Sequence, residues 1–148
     1  MDQMTPEQIA RVRSTWALAL AAGDDLAVEF YDRLFAAHPE LRGMFAKADP
    51  AAQAEKLTKT LEVVVHGLDN LDHLRHSISA MGQRHSGYGV QGYQYALVGE
   101  VLIQTLQHVV GAGFSDADQA AWVAAYAALA SAMQQGASDT QHTGASVA

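Results

Sequence analysis

Apolar side chains return at helical spacing in six separate stretches of this chain and show no sustained alternation, which restricts it to packed helices. The first stretch carries Ile9, Val12, Trp16 and Leu20, and the second Leu26, Phe30, Leu34 and Phe35. Leu57, Leu61, Val64 and Val65 form a third stripe, and Leu74, Ile78 and Met81 a fourth. A long fifth one holds Leu97, Val98, Val101, Leu102, Leu106 and Val109, and the last holds Trp122, Ala125, Tyr126, Leu129 and Met133. Start signals precede several of them. Thr5-Pro6-Glu7-Gln8 offers a cap, a proline at the first helical position and a capping-box glutamine; Gly23-Asp24-Asp25 ends the first segment and offers the next cap, and Asp49-Pro50 and the acidic Ser115 to Asp118 start repeat that logic. Stops fall at His38-Pro39, His66-Gly67, Gly87-Tyr88-Gly89 and Gly111-Ala112-Gly113. Between Pro39 and Phe45 lies a short turn that carries Leu41, Met44 and Phe45, unusually apolar for a connector. These signals predict one all-α domain of six to seven helices over residues 1–135, followed by a disordered tail over 136–148, where periodicity is lost.

Several chemistries are excluded at once. The chain has no cysteine, so disulfides, thiolate nucleophiles, iron–sulfur clusters and Cys-based zinc sites are ruled out. Any metal must be held by histidine, carboxylates or a cofactor. A net charge of -7 argues against nucleic acid or an anionic membrane as partner. The N-terminus has neither the basic region nor the apolar run of a secretory signal, and no apolar run approaches the ~20 residues that span a bilayer. A cytoplasmic protein is the expectation. No internal repeat and no phosphate-binding glycine loop is present.

Three polar side chains share inward-facing stripes. Leu74, Ile78 and Met81 fall within roughly 40° of His85 around a helix, so the imidazole shares their apolar face. It can be a core histidine bonded to a backbone carbonyl, or a ligand. Tyr31 lies about 40° from Phe35 and about 60° from Leu34; its phenol either reaches the surface or finds a buried partner. Gln53 lies about 40° from Leu57 and about 20° from Val64, in the first turn of its helix, where exposure and burial are both open. His73 and His76 could pair at i,i+3, but they point about 120° and 180° away from His85 and are expected in solvent. A histidine on one wall of a cavity and two hydrogen-bonding side chains on another would suit haem.

Longer motifs carry a resemblance. Phe30-Tyr31-Asp32-Arg33-Leu34-Phe35, then Pro39-Glu40-Leu41 and Phe45, resembles the stretch of bacterial globins that spans the distal tyrosine and the phenylalanine packed on the haem. Gln53-Ala54-Glu55-Lys56-Leu57 resembles that family's distal glutamine and leucine. Met81-Gly82-Gln83-Arg84-His85, followed by Tyr95 and Val98-Gly99-Glu100, is similar to its proximal histidine region, and Trp122 and Tyr126 to its final helix. The match runs over residues 5–135 and is nearest to single-domain globins related to the haem domain of flavohaemoglobins.

The resemblance implies a globin fold around haem b. It makes His85 the iron ligand, Tyr31 and Gln53 the distal hydrogen-bonding residues, Leu57 a shaper of the distal pocket, Phe45 a neighbour of the macrocycle, and Tyr95 a residue of the proximal side. Dioxygen, nitric oxide and carbon monoxide are the expected ligands. Reversible oxygen binding, for storage or transport, is the first expectation. Nitric oxide dioxygenation, with electrons from a separate reductase, is the alternative, and a haem-free helical signalling or structural domain is the third. One departure stands out. In flavohaemoglobins a glutamate of the final helix joins the tyrosine near the proximal histidine, whereas Ala132 to Ala137 here contains no carboxylate. A weaker electronic push from the histidine side is expected.

Overall fold

The structure is a computed structural model that describes residues 4–22, 25–87 and 90–147, with side chains through Gly136. Among the described residues there are six α-helices and no strand: α1 (Pro6–Ala21), α2 (Leu26–Ala37), α3 (Pro50–His66), α4 (Leu71–Gly87), α5 (Gly92–Val110) and α6 (Asp116–Val147). The apolar turn Pro39–Phe45 is a 3-10 helix, and shorter ones occupy Leu68–Asn70 and Gly111–Gly113. Counting Pro39–Phe45, the fold has the seven helices expected of it.

Each helix start is made by the residue whose chemistry suits it. Thr5 Oγ1 accepts from Gln8 N at 3.1 Å while Gln8 Oε1 accepts from Thr5 N at 3.1 Å, a complete capping box. Asp25 accepts from Ala27 N and Val28 N, and Asp49 from Ala52 N. Ser115 and Asp118 exchange backbone-to-side-chain bonds of 2.9 and 3.1 Å at the start of α6. The far end of α3 is closed from another helix. Arg13 of α1 donates to the carbonyls of Val65 at 3.2 Å and His66 at 2.8 Å, which lack intrahelical partners in a last turn.

The main core gathers Val12, Trp16, Phe30, Leu34, Leu61, Val65, Leu102, Leu106 and Trp122. Its two indoles lie 6.3 Å apart, and each finds an acceptor: Trp16 Nε1 donates to Glu62 at 2.9 Å and Trp122 Nε1 to Thr15 Oγ1 at 2.7 Å. A second cluster, Ile78, Tyr95, Ala130 and Met133, lies beneath α4.

Helices α4 and α6 cross at backbone contact. A Cβ on Gly82 would fall onto the Met133 carbonyl, and one on Gly136 would lie 2.5 Å from Ser79 O. Only glycine fits at either point. The backbone of α6 stays helical to Val147, over the stretch whose lost periodicity predicts a disordered tail. Extension of an established helix costs far less than starting one, and Gly136 is still packed on α4. Among the described residues no helix is long and apolar enough to cross a membrane.

Candidate functional site

One polar pair joins α2 to α3. Pro50 at the first helical position and the Asp49 cap orient the first turn of α3 so that Gln53 faces Tyr31, and Gln53 Nε2 donates to Tyr31 Oη at 3.2 Å. The phenol ring is held by aromatic neighbours on three sides. Phe30 meets it edge-on at 5.0 Å, Phe35 stacks at 5.9 Å and Phe45 meets it edge-on at 5.5 Å. Phe45 also packs edge-on against Phe35 at 5.4 Å, and the Arg42 guanidinium covers that ring at 5.1 Å. The apolar 3-10 helix therefore has a use: it delivers Phe45 to the tyrosine and buries Leu41 in the main core.

Burial raises the Tyr31 pKa, and the Gln53 hydrogen bond opposes that shift without cancelling it. The phenol is protonated at neutral pH. Because Oη accepts from Gln53, its own hydrogen is directed to a different acceptor. Leu57, one turn beyond Gln53 on α3, is half-buried against the main core.

The histidine lies in the last turn of α4. His85 Nδ1 stands 2.7 Å from Met81 O. A carbonyl can only accept, so Nδ1 carries a proton, and in the neutral tautomer the lone pair then belongs to Nε2. Both readings of His85 left open by its place on the apolar stripe are thus compatible: the carbonyl bond uses one ring nitrogen and prepares the other as a ligand. Its ring is 6.5 Å from that of Tyr95 on α5. Tyr95 is buried, which raises its pKa. The Tyr126 hydroxyl donates to Tyr95 O at 2.6 Å, and its ring lies on Gly99, where a Cβ would come within 2.5 Å of it. Burial, and then the charge of Tyr95, push the Tyr126 pKa well up.

The six residues singled out from the sequence thus fall into two groups. Tyr31, Gln53 and Phe45 form one contact cluster, with Leu57 beside it on α3; His85 and Tyr95 form the other on α4 and α5. The sequence reading missed the bond from Tyr126 to the Tyr95 carbonyl and the close approach at Gly82. The available signal was a glycine inside a helical pattern, which marks a close backbone approach as readily as a weak point. The turn at Tyr88-Gly89, read as the end of the His85 helix, lies outside the described residues.

Among the described residues, His66, His73, His76 and His108 do not extend the site. His66 pairs with Glu62 at 2.8 Å and His108 approaches Glu29 at 3.6 Å, while His73 and His76 are exposed. Among the described residues no group of three His, Asp or Glu could hold a bare metal ion. A single imidazole nitrogen suits a metal that brings its other ligands with it, as a metalloporphyrin does.

Comparisons with known proteins give the family and the fold. The globin family model matches residues 28–133. A flavohemoprotein of Vibrio cholerae is 30% identical over 129 residues, 86% of this chain and 33% of that protein. A flavohemoprotein of Rhizobium meliloti is 30% identical over 121 residues, 80% of this chain and 30% of its own length. The chain thus spans about a third of the length of these relatives. Among solved structures, an engineered carbene transferase from Rhodothermus marinus, described as a candidate nitric oxide dioxygenase, superposes with a TM-score of 0.82 at 26% identity, covering 96% of this chain and 99% of that one. A bacterial globin of Campylobacter jejuni gives 0.81 at 24% identity, covering 93% and 99%.

Proposed function

The chain belongs to the globin family of haem proteins, and from that premise we propose that it binds dioxygen and other diatomic gases reversibly at a haem held by His85. The residues fit the group. The Met81 bond fixes the tautomer in which His85 would bind iron through Nε2, and Phe45 offers a flat apolar neighbour. With no cysteine to form thioether links, the haem would be the non-covalent b type. When bound, haem supplies an iron that takes a diatomic gas and moves electron density onto it.

The observation that carries the reading is the hydrogen-bond arrangement at Tyr31. Gln53 occupies the acceptor side of the phenol, so the O–H is held ready for a negatively polarised ligand. Dioxygen is favoured by such a donor and carbon monoxide much less. Leu57 completes the apolar surround on α3 and helps exclude water, which would compete for the same proton. On the histidine side the acceptor is a carbonyl rather than a carboxylate, so the imidazole remains a moderate electron donor. Tyr95 and its Tyr126 clamp hold the neighbouring helix in place.

The flavohemoprotein relatives and the candidate nitric oxide dioxygenase favour a second reading, in which nitric oxide, dioxygen and one electron from a separate reductase give nitrate. The first test is the visible spectrum of the chain supplied with haem, together with an oxygen-binding curve; absence of a Soret band would sink both readings. Nitrate production with a reductase present, at a rate that keeps pace with nitric oxide supply, would favour the second. Slow reduction and fast autoxidation would favour the first.

A further inference from the structure

Helices α5 and α6 leave an open groove of about 920 Å³ on the outside of the molecule, lined by Ala96, Gly99, Val123 and Ala127 among others. Its chemistry is unlike that of the other outer faces. From Gln119 to Gln135 the sequence of α6 contains no charged residue, although 17% of the chain is charged. Across from it, Glu100 is the single formal charge among the lining residues of the groove. A helix that faces water carries charges on its outer side, as α3 does with the exposed Glu55, Lys56 and Lys59. The outer row of α6 is instead Gln119, Val123, Ala127, Ser131 and Gln135, four residues apart and all exposed. Val123 is 50% exposed in the middle of the row. Depletion of charge marks the centre of a protein–protein contact.

We propose that the α5–α6 groove is the contact face of a two-fold symmetric dimer of this chain, in which α6 of each copy lies along the groove of the other. Charge selects the occupant. With a net charge of -7, two copies repel over most of their surface and meet at least cost where the charges are missing. A strongly charged partner of another kind would find nothing to pair with there. The polar groups that remain on the face are self-complementary. A two-fold contact sets one patch against itself, so carboxylate would meet carboxylate, whereas a primary amide both donates and accepts. Gln104, Gln107, Gln119, Gln134 and Gln135 all line the groove. Gln107 Nε2 donates to Gln119 Oε1 at 2.9 Å, which bridges the two helices and leaves each amide with further donor and acceptor capacity. Tyr95 lines the groove as well, and its ring is 6.5 Å from that of His85, so the second copy covers the outer side of the histidine cluster. The dimer needs no haem and stands or falls apart from the gas-binding reading.

Sedimentation velocity of the full chain over a range of concentrations is the test. A particle of twice the chain mass is expected, and its share should rise between low salt and about 0.15 M as repulsion between the copies is screened. Val123→Glu and Ala127→Glu set like charges against each other and should return the chain to a monomer with unchanged helical content. Val63→Glu, similarly exposed but on α3, should leave the dimer intact. Ser131→Glu, on the same outer row of α6, repeats the test if either groove variant fails to fold. A chain that stays monomeric up to millimolar concentration overturns the proposal, as does a dimer that persists in the folded groove variants or is lost equally in Val63→Glu. A full chain that is monomeric and dimerises only once residues 137–148 are removed would assign the groove to the chain's own last residues, which also overturns it.

Discussion

At the scale of single residues, the site turns on where two protons are placed. The Tyr31 proton is left for an acceptor other than Gln53 Nε2, from which Oη already accepts, and the His85 Nδ1 proton is turned toward Met81. A charge-assisted hydrogen bond contributes about 1.5–3 kcal/mol, so Tyr31→Phe is expected to speed dioxygen release roughly tenfold to a hundredfold, measured by stopped flow. Carbon monoxide release should change far less; an unchanged dioxygen off-rate would remove the tyrosine from the function. His85→Gly should abolish the Soret band of the reconstituted protein, and added imidazole should restore it by replacing the missing ligand; a normal spectrum without imidazole would refute the assignment. The partly inward placement of Tyr31 and His85 was legible in the sequence because each breaks an apolar stripe at helical spacing, whereas that of Gln53, in a first turn, was open. Met81 as the acceptor was not, because a bond from a ring nitrogen to a carbonyl four residues back depends on one rotamer, and no residue pattern encodes it.

At the scale of elements, most boundaries were legible because capping chemistry is local. Thr5, Asp25, Asp49 and Ser115 each cap the helix that follows. Asp49→Ala removes the cap of the helix that bears Gln53 and should cost about 1 kcal/mol by chemical denaturation. A loss below a few tenths would mean that the Pro50 start and tertiary packing hold this turn unaided. What local chemistry could not reveal is which helices touch without side chains between them. Gly82 inside α4 reads as a weakness until Met133 O is found against it. Gly82→Ala must push α4 from α6 and is expected to lower stability by about 1–3 kcal/mol or more. Calorimetry checks this, and a Tm within a degree of the parent would show that the crossing yields easily. The continuation of α6 past Gly136 was invisible for a related reason: helical backbone there needs no apolar stripe once the preceding turns exist.

The molecule as a whole carries seven excess negative charges, yet its ionised carboxylates include some that stabilise it. Burial opposes ionisation of Asp118, but hydrogen bonds from Ser115 and Arg11 outweigh it and hold the carboxyl below its ordinary range. Glu62 is also lowered, first by Trp16 and then by His66. Groups with lowered folded pKa values stabilise above the unfolded value and lose that contribution as pH falls through the folded one. Stability should therefore decline below about pH 4, and Asp118→Asn should flatten part of that decline. An identical acid profile in the variant would remove Asp118 from the account. We further expect a chain ending at residue 136 to keep its Tm and its haem spectrum, with the domain complete at residue 135; a large loss of either would place part of the fold in the final turns. The crossing of α4 and α6 has a mechanical consequence. Backbone against backbone leaves no soft layer to compress, so α4 cannot move closer to α6 at Gly82. His85 sits three residues along from this contact, a rise of roughly 4.5 Å. So near to an incompressible contact, the imidazole is held at a fixed distance from α6.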